Sequence, residues 1–139
     1  MPRCELGQAD YTALAEFRYL IRCFLEFSEK AAKQIGLTPR HHQALLAIKG
    51  YGGGDPISVG DLAERLRIRH HSAVELVNRL VEKGLVERRP DEADHRRILL
   101  QLSARANESL AELSAAHMDE LSRIRPMLQR VLEHSEGRR

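Results

Sequence analysis

The sequence predicts a mainly α-helical fold carrying one small β-hairpin. Three observations predict it. Apolar residues recur at three- and four-residue spacing along most of the chain. Between residues 57 and 103 the period changes, and short β-prone runs appear at 85–88 and 98–102. Aromatic residues make up only 4%, with no Trp, so the core must be built from aliphatic side chains. At 139 residues the chain, read as a single domain over 1–139, is long enough to bury a core of its own.

Residues 8–34 read as one long helix. Leu14, Phe17, Ile21, Phe24, Ser28 and Ala31 share a face, and Leu20, Leu25 and Phe27 widen it. A helix so apolar must bury more than one side, and part of it is expected to meet another subunit. Gly36 ends this helix. Thr38 then reads as an N-cap with Pro39 at the first helical position, and Ala44, Leu45 and Ile48 form the inner stripe. Residues 50–56, GYGGGDP, form a loop. It is not a phosphate-binding loop, because no Gly-Lys-Ser/Thr follows and no strand precedes it.

Ile57 is expected to pair as a one- or two-residue strand against the hairpin. Ser58 and Asp61 have the spacing of a reciprocal cap, and Val59, Leu62, Ala63 and Leu66 follow at helical intervals. After a break around residues 67–69, Ala73, Leu76, Val77, Leu80 and Val81 line a second helix. Gly84 stands where a left-handed C-terminal cap belongs. The two β-prone runs flank RPDEADHR, a loop by its Pro and Asp. From the N-cap Ser103, helix resumes to about Glu133, with Leu110, Leu113, His117, Leu121, Ile124, Leu128 and Val131 in step. Pro126 is expected to break or kink it near residues 122–125. Residues 135–139 read as a frayed tail.

Helix, turn, helix and hairpin in this order is the layout of a winged helix-turn-helix, whose second helix can lie in a DNA major groove. Two short amphipathic helices are common, and alone they would support a plain helical domain equally well. Four arginines on the hairpin, Arg88, Arg89, Arg96 and Arg97, favour DNA. The net charge of +2 is uninformative, but its distribution is not. Residues 65–97 hold nine Lys/Arg against six acids, together with three His. Binding through that block should weaken with salt.

Gly84-Leu85-Val86-Glu87-Arg88, Asp94-His95-Arg96 and Leu102-Ser103 resemble the wing signature of the MarR family (multiple antibiotic resistance regulators). The resemblance continues upstream through LAERL and LVNRL, and through Leu37-Thr38 with Gln43. It implies a winged helix-turn-helix whose N- and C-terminal helices, 8–35 and 104–134, form a dimerisation bundle around a DNA-binding lobe, 38–102. It further implies a homodimeric, sequence-specific transcriptional regulator, usually a repressor released by a small ligand, bound to an inverted-repeat operator. Position by position, His71 and Ser72 fall on the family's usual Ser-Thr pair, and Glu75 falls where Arg or Lys is common. Arg96 is implied to enter the minor groove, with Asp94 structuring the wing.

Several side chains are candidates for DNA on their own chemistry. Arg69, His70, His71, Ser72 and Glu75 sit at the start of the second helix, where His and Ser can donate to purine N7 and Glu can accept from cytosine N4. Glu75 has an alternative partner in Arg79, four residues on. Arg88, Arg89 and Arg97 can serve phosphates or stay solvated. Ser58 is placed for a phosphate at a helix N-terminus.

Other chemistries find little support. No nucleophile motif surrounds any Ser, so an enzyme is not expected. His41-His42 and His70-His71 are adjacent pairs, which diverge on a helix and chelate poorly, so neither metal nor cofactor is expected. His117 on an apolar stripe reads as a satisfied core residue. Cys4 and Cys23 make no disulfide framework. Two alternatives remain: a thiol-based redox-sensing regulator using Cys23, and a winged-helix protein-interaction module that does not bind DNA. With no apolar run long enough for a bilayer and no secretory signal in the first residues, a reducing cytoplasm is the expected compartment.

Overall fold

Helix boundaries follow from side chains that satisfy the free backbone groups at each end. The structure, a computed structural model, describes residues 5–137, so Cys4 lies outside the described residues. Helix α1 spans Gln8–Gln34. Just ahead of it, the Gly7 N–H donates to Asp10 Oδ2 at 2.8 Å. Helix α2 spans Pro39–Gly50 and opens as expected, with Thr38 Oγ1 accepting from the His41 N–H at 3.1 Å. Strand β1, Ile57–Ser58, leads directly into α3, Val59–Leu66, and Ser58 and Asp61 form the reciprocal cap.

Helix α4 covers His70–Glu82. Its end is set by Gly84 at φ +71°, which lets the Leu85 N–H reach the Leu80 carbonyl and the Gly84 N–H reach Val81, both at 2.9 Å. The end of α3 uses a left-handed residue that is not glycine: Arg67, at φ +56°. That conformation costs a side-chain-bearing residue about 1–2 kcal/mol. The tight turn between α3 and α4 depends on it. Strands β2, Val86–Pro90, and β3, Ile98–Leu102, form the hairpin. Ile57 pairs with Leu100 and Ser58 with Leu99, completing a three-stranded antiparallel sheet in the order β1-β3-β2.

Helix α5 spans Ala104–Glu136, capped by Ser103 Oγ accepting from the Ala106 N–H at 3.2 Å. Pro126 lies inside it without ending it, contrary to the break expected at 122–125. Pro126 and Ser122 are both exposed, so the Ser122 carbonyl that loses its helical donor can be hydrated instead. The helix also runs past Glu133 into the stretch expected to fray. There the Ser135 hydroxyl donates to the Leu132 carbonyl at 2.8 Å.

The chain divides into two compact units, one holding residues up to Ala31 and from Ala115, the other Ala32–Ser114. In the first, α1 and the later part of α5 pack side by side in opposite directions. His117 Nε2 lies 2.8 Å from Ser28 Oγ and sets its ring edge against Phe24 and Phe27. At the other end, His134 Nε2 lies 2.8 Å from Asp10 Oδ1. His117 is thus a satisfied packing residue. The second unit is centred on Leu45, Ile57, Leu62, Val77, Leu80, Leu85 and Val86, each fully buried. Leu99, Leu100 and Leu102 of β3 are buried with them, so the sheet and helices α2–α4 hold one another in register. Among the described residues no helix is long and apolar enough to cross a membrane.

Candidate nucleic-acid interface

The second unit carries basic side chains at both ends of α4 and along the hairpin. Helix α4 begins at Arg69, whose backbone is extended and whose side chain makes no capping bond. Its first turn holds no acid. The uncovered N–H groups and the positive end of the helix dipole therefore face outward beside Arg69, His70 and His71, all exposed, with Ser72 half-buried. Glu75 is exposed one turn on, and among the described residues no ion pair joins it to Arg79.

Ser58 is in a different situation. Its hydroxyl donates to Asp61 Oδ2 at 2.8 Å and accepts from the Asp61 N–H at 3.1 Å. The carboxylate thus occupies the N-terminus of α3, where a phosphate was expected. Burial pushes the Asp61 carboxyl up, but the Ser58 hydrogen bonds and Arg97 outweigh it and hold it below its ordinary 3.8. It therefore stays ionised throughout the neutral range.

The wing arginines diverge. Arg88 and Arg89 project from opposite faces of β2, as neighbours on a strand must. Arg88 donates to Oδ1 of Asn78 on α4, a link across ten residues that sequence reading missed. Arg89 lines a separate cleft with Lys49, Gln101 and Asn107. At the tip, Asp94 Oδ1 accepts the Arg96 N–H at 3.1 Å, which folds the loop back on itself. The Arg96 side chain is 94% exposed, with one loose contact to Asp94 at 3.4 Å. Arg97, by contrast, reaches back to Asp61 Oδ2 at 2.7 Å. Ser58, His70, Arg88, Arg96 and Arg97 surround one cleft of about 420 Å³ between α3, α4 and the wing. The structure thus assembles four basic side chains from three separated stretches.

Ser72 and Glu75 face a second cleft with Arg40, His41, Arg79 and Lys83. His41 is 6% exposed, and its buried Nδ1 has no hydrogen-bond partner among the described residues. Burial lowers its pKa below 6.5, helped by the charges of Lys83 and Arg79. The unfolded chain then binds a proton that the folded chain refuses. Stability from this group is full above 6.5 and falls as pH drops below it. Urea denaturation at pH 7.5 and 5.5 is expected to show this loss, and His41→Leu should reduce it; an equal loss in both proteins would assign the effect elsewhere.

The MarR family model matches residues 35–97, the stretch holding α2, α3, α4 and the wing. Over that stretch the chain is similar to the MarR family. Its fold is that of solved MarR-type winged-helix structures. A Staphylococcus aureus MepR variant bound to an oligodeoxyribonucleotide is 17% identical, with 97% of this chain and 100% of that chain covered, at a TM-score of 0.67. AbsC, a MarR family transcriptional regulator from Streptomyces coelicolor, is 20% identical over 97% and 99%, at 0.66. RV1404 from Mycobacterium tuberculosis is 22% identical over 88% and 82%, at 0.70. No curated protein matches the chain in sequence. MarR family members are transcription regulators, not enzymes. Among the described residues no group of three or more His, Cys, Asp or Glu could hold a metal ion, and His41 and His42 are core residues of α2.

Cys23, the residue of the redox alternative, is half-buried on α1 rather than sealed in the core. A hydrogen bond with Cys23 is the main cause of the raised pKa of the Tyr19 phenol, one turn earlier.

Proposed function

We propose that this protein is a MarR-type, homodimeric, sequence-specific repressor that binds an inverted-repeat DNA operator and releases it when a small ligand binds. The observation that carries the reading is the cleft described above, where the exposed Arg96 and His70 flank one basic concavity beside an uncapped α4. Helix α4 would lie in the major groove. His70, His71, Ser72 and Glu75 would face base edges, with Arg69 on the flanking phosphate. Arg96 would enter the minor groove, and Arg88 and Arg89 would serve phosphates to either side of the wing.

The first unit supports the dimer. Tyr11, Leu14, Ile21 and Leu25 on α1, with Met118, Leu121 and Leu132 on α5, are large apolar side chains exposed in the single chain. Apolar surface on this scale marks an interaction site. An isologous pairing of this unit would present two α4 helices to half-sites about one DNA turn apart. Ligand release would follow from a change in that spacing, since the phosphate and base contacts depend on it. Such a regulator acts in the cytoplasm.

Selection of bound duplexes from a random pool tests the reading. An inverted repeat with half-site centres about 10 base pairs apart is the expected product. Recovery of no preferred sequence, or of a single unrepeated site, would count against it.

A further inference from the structure

Arg97 could serve a phosphate on its chemistry alone, but its side chain already has a partner in Asp61 of α3. Oδ2 of Asp61 collects three donors: the Ser58 N–H at 3.2 Å, the Ser58 hydroxyl at 2.8 Å and the Arg97 guanidinium at 2.7 Å. The first two already fix the carboxylate as part of the α3 cap. Arg97 therefore meets a preorganised acceptor and loses only its own side-chain freedom on pairing. The pair is also partly shielded, with side-chain exposures of 45% and 27%. It differs in this from the Asp94–Arg96 contact, which is loose and open to water.

The backbone of Arg97 makes the same residue the closing point of the wing tip. Its N–H donates to the Asp94 carbonyl and its carbonyl accepts the Asp91 N–H, both at 2.9 Å. The loop between β2 and β3 is thus tied off at Arg97, and the Arg97 side chain ties the loop to α3. We propose that the Asp61–Arg97 pair is a strut that sets the angle of the wing against the helix-turn-helix, so that Arg97 is a positioning residue acting through Arg96 rather than a DNA contact. The proposal rests on the DNA-binding reading for its consequence, though not for the strut itself. Any displacement of this pair moves Arg96, whose side chain is 94% exposed.

Two measurements test it with R97A, D61N, R96A and the doubles R97A/D61N and R96A/R97A. D61N keeps a side-chain oxygen for the Ser58 N–H and so spares most of the cap. The first measurement is hydrogen exchange in the free protein. R97A and D61N are expected to raise exchange of the wing amides 91–97 to the same extent, while the amides of α4 stay protected. Unchanged wing exchange would overturn the strut whether or not the protein binds DNA.

The second is affinity for the selected duplex across a range of salt concentrations. R97A and D61N should each weaken binding about tenfold, the double no further, and R96A/R97A no more than R96A alone. In the R96A background, adding R97A should leave the slope of log affinity on log salt unchanged. A phosphate contact would instead make it shallower by about 0.9 per subunit. Additive losses, or that change of slope, would make Arg97 a DNA contact. A wild-type chain that binds no duplex while R97A loosens the wing would leave the strut standing and remove the DNA-binding reading.

Discussion

Replacing Leu14 and Leu25 together by Asp is expected to give a folded chain that sediments at half the wild-type mass and loses roughly 10²–10⁴-fold in affinity for a two-half-site duplex. Both leucines are more than half exposed in the single chain, at 58% and 52%, so a charge there need not disturb the core. In a dimer each would be buried, a change worth about 1.5–3 kcal/mol per leucine, and an unpaired carboxylate in its place reverses the sign. The affinity loss follows because a monomer engages one half-site and forfeits the high effective concentration of the second. Sedimentation velocity and duplex titration check the two halves separately. A wild-type chain that is already monomeric at micromolar concentration would remove the dimer. A double variant that still pairs would move the interface off this face.

Arg96→Ala is expected to weaken duplex binding by roughly 10- to 100-fold and to flatten the salt dependence by about 0.9 per subunit. The loss should be larger on sites whose wing-contacted segment is A·T-rich, because a narrow minor groove concentrates negative potential. The melting temperature of the free protein should not move, since the side chain is almost wholly in solvent and its one contact is loose. This separates loss of a DNA contact from loss of the fold. Affinity unchanged at every salt concentration would support the rival view of a winged-helix module that recognises proteins.

Asp61 and His41 respond to pH in the same direction but in different windows. The depressed Asp61 pKa makes its stabilisation complete above 3.8 and lost only as pH falls through a still lower value. His41 begins to cost stability as soon as pH falls below 6.5. Mild acid therefore acts at the buried His41 of α2 before it acts on the α3 cap.

Much of the fold could be read directly because its signals are local. Thr38, Ser58 with Asp61, Gly84 and Ser103 each act on backbone groups within five residues, so their spacing alone specifies the ends of α2, α3, α4 and the start of α5. The short strand at Ile57 was legible for a related reason: an apolar residue just ahead of a cap has the adjacent hairpin as its partner. Pro126 does not break α5, because the effect of a proline depends on its setting. On an exposed face, water can meet the carbonyl that proline leaves unpaired.

The candidate site was legible in composition and less so in role. That His70, His71 and Arg96 stand at the surface follows from their positions at a helix start and a loop tip. That Arg88 is held by Asn78, or Arg97 by Asp61, does not follow from any spacing. Local order along this chain, its periods, caps and wing signature, is written in neighbouring residues, because helices and turns are decided within about five positions. Which arginines extend into solvent alone and which also hold a partner within the protein depends on residues 10 and 36 positions away. Those partners meet only once the sheet and helices have packed, since a long flexible side chain chooses among acceptors by distance in space and not by order in the chain.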